Sequence, residues 1–296
     1  MTDEELQGAI SNLKSRPLGA DDDVRVSLGG LQAKLLLTKT SDGLWTRPAP
    51  GAPSTHILKP EPSEYPGLVA SEAYILRTAV RCGLPAADVE LSNIAGRNVL
   101  VVKRFDRSVD ARGRIFRIHQ EDAGQALSLD PSDGRLKYQS TKSDPPSLAA
   151  IAEVLRTHGV DPVRDFSRLL AMTAICIAIG NTDAHARNHG FIHEAGGVSL
   201  APLYDAAPTS QFVPTRKVAL WVDNQMMLAE ITPHHLMREA VRWGFPQAVA
   251  EKTVKHILDV LPEALKQSAD ETPEVPSEIV DATHARVQRM QARWRQ

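Results

Sequence analysis

Residues 169–180 read LLAMTAICIAIG, an almost unbroken apolar run, and the chain leaves it directly into NTDAHARNHGF, residues 181–191. A run of this kind reads as a buried helix. Its abrupt end then sets Asn, Asp, His, Arg, Asn and His beside a core. Polar groups in such a place cost free energy unless each finds a partner. They either cap and bridge the protein or hold something that is not protein.

The rest of the chain can supply the core. Its 296 residues suffice for one large or two modest domains. An apolar content of 42% with 24% charged residues is ordinary for a soluble globular protein. A net charge of −2 gives no general attraction to nucleic acid or anionic membrane. Cys82 and Cys176 lie far apart, without metal or redox spacing, which fits a reducing compartment. The N-terminal MTDEELQGAISNLKSR is acidic and helical in character, without the apolar region of a signal peptide. The apolar runs fall short of the roughly 18 residues a membrane helix needs. The expectation is a soluble, cytoplasmic protein with no membrane partner.

Strand signals dominate the front: VRVSL (24–28), AKLLL (33–37), THILKP (55–60), DVELSNI (88–94) and NVLVVKRF (98–105), with AGR as a hairpin-like turn between the last two. SEAYILRTAVRCG (71–83) has helical spacing, with Ser71 placed as N-cap and Gly83 as the stop. After a polar loop at 128–147 the pattern turns helical, over 147–158, 163–179, 233–243, 247–268 and 277–294. This predicts an α+β fold in two lobes, a β-rich one over 1–105 and a mostly helical one over 106–296.

Three polar constellations lie on that frame. SLGGLQAK (27–34) offers Gly29 and Gly30, which permit close backbone approach to a phosphate, followed by Lys34. It lacks the G-K-[ST] of a Walker loop. Lys59 ends an apolar strand, with Glu72 in the next helix as a possible ion-pair partner. A lysine there can also simply reach for water. Asp183 and Asn188 have the D-x-x-x-x-N spacing of a protein-kinase catalytic loop, and Asp205 follows in LAPLYDAAPT (200–209). One Asn and one Asp oxygen, with substrate phosphates, suit Mg²⁺. Competing readings use the same residues. His185, His189 and His193, spaced by four, could bind Zn²⁺ from one helix face, although Gly190 interrupts a helix there. Asp183, His185, His189 and Asp205 could serve a metal-dependent phosphohydrolase, and a non-catalytic co-repressor scaffold is the third alternative.

In order, SLGGLQAK, HILKP, SEAYILRTAVRCGLP, LVVKRFDR, HQEDAGQAL, GNTDAHARNHGF and LAPLYDAAPT resemble the motifs of the HipA family of bacterial serine/threonine kinases, the toxins of toxin–antitoxin modules. The resemblance implies ATP and Mg²⁺ as cofactors. It implies Asp183 as catalytic base within a D-x-H that includes His185, Asn188 and Asp205 as Mg²⁺ ligands, and Lys59 as the ATP-phosphate lysine. Lys103, Arg104 and Phe105 match the segment that holds adenine through backbone groups. Gly29 to Lys34 match the nucleotide loop, and Ser27 matches the serine whose autophosphorylation inactivates the kinase. The implied partners are a HipB-like helix-turn-helix antitoxin, DNA only through that antitoxin, and an aminoacyl-tRNA synthetase as substrate.

Arg187 and His189 stand where the family usually has Lys and Phe. HipA toxins carry a further N-terminal segment ahead of the serine. With Ser27 so early, the chain resembles the shortened toxin HipT of HipB–HipS–HipT modules, and a HipS-like small protein is a further expected partner. Two basic stretches are candidate docking surfaces: Lys103, Arg104, Arg107, Arg112, Arg114 and Arg117 for substrate, and Arg286, Arg289, Arg293 and Arg295 for phosphate. Each could equally be structural, paired with Asp106 and Asp110 or complementing a helix dipole.

Overall fold

Alternating apolar side chains build a sheet in the front of the chain. The computed structural model describes residues 1–14, 33–94, 96–142 and 145–294. The chain packs as two units, Met1–Ala73 with Ala87–Ile118, and Tyr74–Ala86 with His119–Gln296. The strand expected over 24–28 lies outside the described residues, as do Ser27, Gly29 and Gly30.

In the first unit, helix α1 (Asp3–Ser11) starts on a capping box between Thr2 and Glu5. Strands β1 (Leu35–Lys39), β2 (Trp45–Thr46) and β3 (His56–Pro60) follow, then the start of helix α2 (Leu68–Arg81), which counts with the second unit from Tyr74 on, and then β4 (Val89–Ile94) and β5 (Arg97–Lys103). A short hairpin, β6 (Arg107–Val109) and β7 (Ile115–Arg117), ends the unit. The five-stranded sheet has the order β2-β1-β3-β5-β4, antiparallel throughout. Leu35, Leu37, Leu58, Val99 and Val101 share one face and pack on Leu6, Ile10 and Leu13. The two-residue period of a strand turns Lys59, beside Leu58, to the opposite face.

α2 begins three residues ahead of the expected Ser71. The Glu61 carboxylate, just past β3, accepts the N–H groups of Gly67 and Val69 and so serves the helix start. Ser71 lies inside the helix, its hydroxyl donating to the Gly67 carbonyl at 2.7 Å. Gly83 does end it, at φ +79°.

The second unit holds β8 (Gln120–Asp122), α3 (Ala123–Ala126), α4 (Leu148–His158) and α5 (Pro162–Ile179). It continues with β9 (Gly190–Glu194), β10 (Gly197–Leu200), β11 (Lys217–Val222), β12 (Gln225–Met227), α6 (Pro233–Arg242), α7 (Gln247–Asp270) and α8 (Ser277–Ala292). The five long helices fall where the periodicity placed them. The periodicity marks none of this unit's strands, which are short and sit among polar residues. β10, β9 and β8 form one antiparallel sheet, and β11 and β12 a hairpin.

α5 is the axis of this unit. Asp161 caps it, Pro162 opens its first turn, and every residue from Leu169 to Ile179 is buried. Helices α4, α6, α7 and α8 pack around it. Its one fully buried charge, Asp165, accepts from Arg164, Arg168 and the Leu200 N–H at 3.0–3.3 Å. Among the described residues no helix is long and apolar enough to cross a membrane.

Candidate catalytic site

α5 delivers the chain to Gly180, which adopts φ +86°. A Cβ there would fall 2.5 Å from Ser210 Oγ, so the turn excludes any side chain twice over. Arg286 of α8 lies against the same turn and donates to the Ile177 carbonyl at 3.1 Å. A cation at a helix C-terminus offsets the dipole. Burial, together with Arg289 and Arg293, pulls the Arg286 pKa down to about 10. Arg293 likewise donates to a carbonyl, that of Ala229. Arg286 and Arg293 therefore brace the fold rather than present a phosphate-binding face.

Past Gly180 the loop is fastened to the segment after Asp205. Ser210 N–H donates to the Gly180 carbonyl at 3.0 Å, and Thr182 N–H to Thr209 Oγ1 at 2.7 Å. Thr209 Oγ1 also reaches Asn181 Oδ1 at 3.2 Å, and that oxygen accepts the Asp183 N–H at 2.9 Å. The Asp183 carbonyl takes the His185 N–H at 2.8 Å and Asn188 Nδ2 at 2.9 Å. The spacing D-x-x-x-x-N is thus a closed local structure. With its Nδ2 spent on Asp183, Asn188 keeps its amide oxygen as an acceptor.

The Asp183 carboxylate accepts from the Tyr138 hydroxyl at 2.8 Å. Burial raises its pKa and the charge of Asp205 adds to that, against the Tyr138 hydrogen bond and the charge of Lys137. Asp205 sits at φ +57°, left-handed for a non-glycine residue, between buried Leu203 and Ala206. Lys137 is only 3% exposed. Burial lowers its pKa, Arg187 adds to this, and Asp183 and Asp205 pull it up. Its carbonyl accepts the Ala186 N–H at 3.1 Å. Sequence reasoning passed over both Lys137 and Tyr138, which sit in the polar loop.

His185 opens a 3₁₀ turn at Ala186–Asn188. Its ring lies edge-on to Tyr138, and neither buried ring nitrogen finds a hydrogen-bond partner among the described residues. Burial and then Lys137 push its pKa down to about 3, so the imidazole is neutral. His189 is spent on the His185 carbonyl at 3.0 Å. His185, His189 and His193 do not share a helix face, since the chain passes from the 3₁₀ turn into β9. Among the described residues, Asp183, His185, His189 and Asp205 do not gather as a metal-ligating group.

In the first unit Lys59 and Glu72 form the expected ion pair. Lys59 Nζ lies 2.7 and 3.0 Å from the two carboxylate oxygens, with both side chains about 5% exposed. Lys34 is half-buried ahead of β1. The Lys103 N–H donates to the Asp88 carbonyl and the Arg104 N–H to the Thr55 carbonyl, each at 2.9 Å. Arg104 and Arg107 both grip Asp106, at 2.7 and 2.6 Å. Burial alone would raise the Asp106 pKa, and the two guanidinium groups hold it low. Arg114 pairs with Asp110, and Arg117 donates to the Gly51 carbonyl. Arg104 and Arg107 are therefore internal structure, while Lys103, Arg112, Arg114 and Arg117 are exposed. Phe105 is half-buried between the paired Arg104 and Asp106.

The profile of the HipA-like C-terminal domain matches residues 26–265. The chain belongs to that family. The HipA of Shewanella oneidensis, solved with HipB and operator DNA, superposes with a TM-score of 0.83 at 23% identity. The match covers 99% of this chain and 71% of that one. The α+β architecture, with a β-rich unit and a mostly helical one, is therefore the HipA-like, kinase-like fold. Y4mE of Sinorhizobium fredii, which carries a kinase name, is 34% identical over 268 residues. The serine/threonine-protein kinase toxin HipA of Shewanella oneidensis is 26% identical over 255. The chain spans 62% and 58% of these two relatives' lengths.

Proposed function

We propose that this HipA-like chain is an ATP- and Mg²⁺-dependent serine/threonine protein kinase, acting as the toxin of a toxin–antitoxin module. The observation that carries this reading is the loop after α5. There Asp183 is fixed through Asn181, His185 and Asn188, and its carboxyl is tuned upward beside Asp205. A general base works best with a pKa brought toward the operating pH.

Asp183 would accept the proton of a substrate Ser or Thr hydroxyl. Asn188 Oδ1 and the Asp205 carboxylate form the hard-oxygen pair that suits Mg²⁺, which when bound neutralises charge on the β- and γ-phosphates. Lys59, oriented by Glu72, would take the α- and β-phosphates. His185, two residues after Asp183, is neutral, and Lys137 is the buried cation that acts on Asp183 and Asp205. We assign Lys137 the γ-phosphate charge. Most of the rate would come from positioning and charge stabilisation.

Lys34 and the backbone of Lys103, Arg104 and Phe105 are assigned to nucleotide binding on the family motifs, as are Gly29 and Gly30. Ser27 is assigned as the autophosphorylation site on the same ground. A HipB-like antitoxin is the expected partner, supported by the HipB complex of the Shewanella relative. A HipS-like protein and an aminoacyl-tRNA synthetase substrate rest on the family resemblance.

The test incubates the purified chain with Mg²⁺ and ATP and follows phosphate by mass spectrometry. Phosphate on Ser27 is expected in the wild type. Asp183→Asn and Asp205→Asn should each lose transfer by about 10²–10⁴-fold or more. A wild type that neither transfers phosphate nor gains melting temperature with Mg²⁺ and ATP overturns the reading. Transfer surviving Asp183→Asn overturns the choice of base.

A further inference from the structure

The zinc expectation for His185, His189 and His193 fails in the loop, yet one of its members meets new company. β8 and β9 run antiparallel with Gln120 opposite Ile192. One residue outward, the His193 N–H donates to the His119 carbonyl at 2.9 Å, so the two histidines face each other across the ladder. Glu121, two residues beyond His119, shares its face. The imidazole centroids are 4.3 Å apart. Both turn Nε2 to the same carboxylate: His193 lies 3.3 Å from Glu121 Oε2 and His119 lies 3.9 Å from Glu121 Oε1. One ligand atom from each residue falls within 4.8 Å of the others, and this is the one such trio among the described residues.

From these contacts we propose that His119, Glu121 and His193 form a binding site for Zn²⁺. Two imidazoles and a carboxylate are a donor set zinc uses. With bonds of 2.0–2.2 Å, tetrahedral ligands lie about 3.3 Å apart. The 3.3 Å contact already matches that spacing and the 3.9 Å contact is near it, on strands whose hydrogen-bonded pairing sets the backbone positions. A surface ion pair explains the cluster less well. An exposed His–Glu contact stabilises by little, and one partner would suffice. Here two rings converge on one carboxylate. His119 and His193 are both exposed, so the fourth position opens to solvent or to a partner's side chain. The nitrogen donors select zinc over Mg²⁺, a hard cation that prefers all-oxygen shells. β9 starts two residues after Asn188 and β8 runs into α3, whose Ala123 N–H donates to the His189 carbonyl. Bound zinc would clamp the strand leaving the candidate catalytic loop to its neighbour. The site is independent of the kinase reading.

The experiment titrates Zn²⁺ into the full chain against a chromophoric chelator, with millimolar Mg²⁺ present. One zinc per chain and a rise in melting temperature are expected. H119A, H193A and the double variant, all at exposed positions, should fold and weaken zinc binding by at least about tenfold. His256→Ala, an exposed histidine on α7, should bind as the wild type does. Asp205→Asn should too, which separates this site from the candidate Mg²⁺ ligands. Equal affinity in the wild type and H119A/H193A overturns the proposal. Zinc binding lost in Asp205→Asn but kept in H119A/H193A overturns it as well, by placing the ion at the catalytic loop.

Discussion

The two units each bury ionised groups, and they treat them differently. Lys59 and Glu72 are a closed pair: one cation and one anion, at 2.7 and 3.0 Å, on a strand and a helix. Asp183, Asp205 and Lys137 are an open set. Two acids and one cation from three separate segments act on one another, and Asp183 and Lys137 are both shifted toward their neutral forms. A closed pair repays its desolvation internally and holds geometry. An open set carries two acids to one cation, a charge balance that favours binding a further cation.

The largest expected effect breaks the closed pair. Glu72→Gln leaves the Lys59 ammonium buried without its carboxylate and should cost about 3–5 kcal/mol in urea unfolding. Lys59→Met with Glu72→Gln should recover most of that loss. Equal destabilisation by the double and single variants would mean the pair is not the unit that matters. In the open set the sign reverses. A carboxyl whose folded pKa is raised contributes stability when protonated and loses it as pH rises through the folded pKa. Asp183→Asn should therefore keep or raise the melting temperature at neutral pH, although it abolishes transfer. A clear fall would show that Asp183 holds the loop instead of loading it.

The smallest effect sharpens the electrostatics. Tyr138 and Lys137 both favour the ionised Asp183. Tyr138→Phe and Lys137→Met should each move the acidic limb of the kcat/KM profile to higher pH, with Lys137→Met also lowering kcat. An unmoved limb in both would detach that limb from Asp183.

What sequence could reveal follows the same division. Long helices announce themselves by periodicity, and α4 to α8 fall within about two residues of expectation, the usual uncertainty of helix ends. The Lys59–Glu72 pairing was legible because strand and helix carry it at regular spacing. Lys137 and Tyr138 were not. A buried lysine in GRLKYQS looks like a solvated one until the Ala186 N–H is found on its carbonyl. The hairpin of β9 and β10 went unseen although Gly196 and Gly197 mark its turn. FIHE and VSL are too short to stand out from the loop that precedes them. His119, Glu121 and His193 needed the register of β8 on β9, which no spacing along the chain encodes.

Arg286 has a consequence for where this chain can be cut. The family profile stops at residue 265, and α8 lies wholly beyond it. Yet α8 supplies the guanidinium that closes the last turn of α5, against the glycine from which the polar loop departs. A fragment trimmed to the matched residues would keep every motif of the family and lose the strut beneath them. Its α5 would keep the Gly180 N–H on the Ile177 carbonyl but lose the guanidinium, and the loop would leave a less firmly held turn.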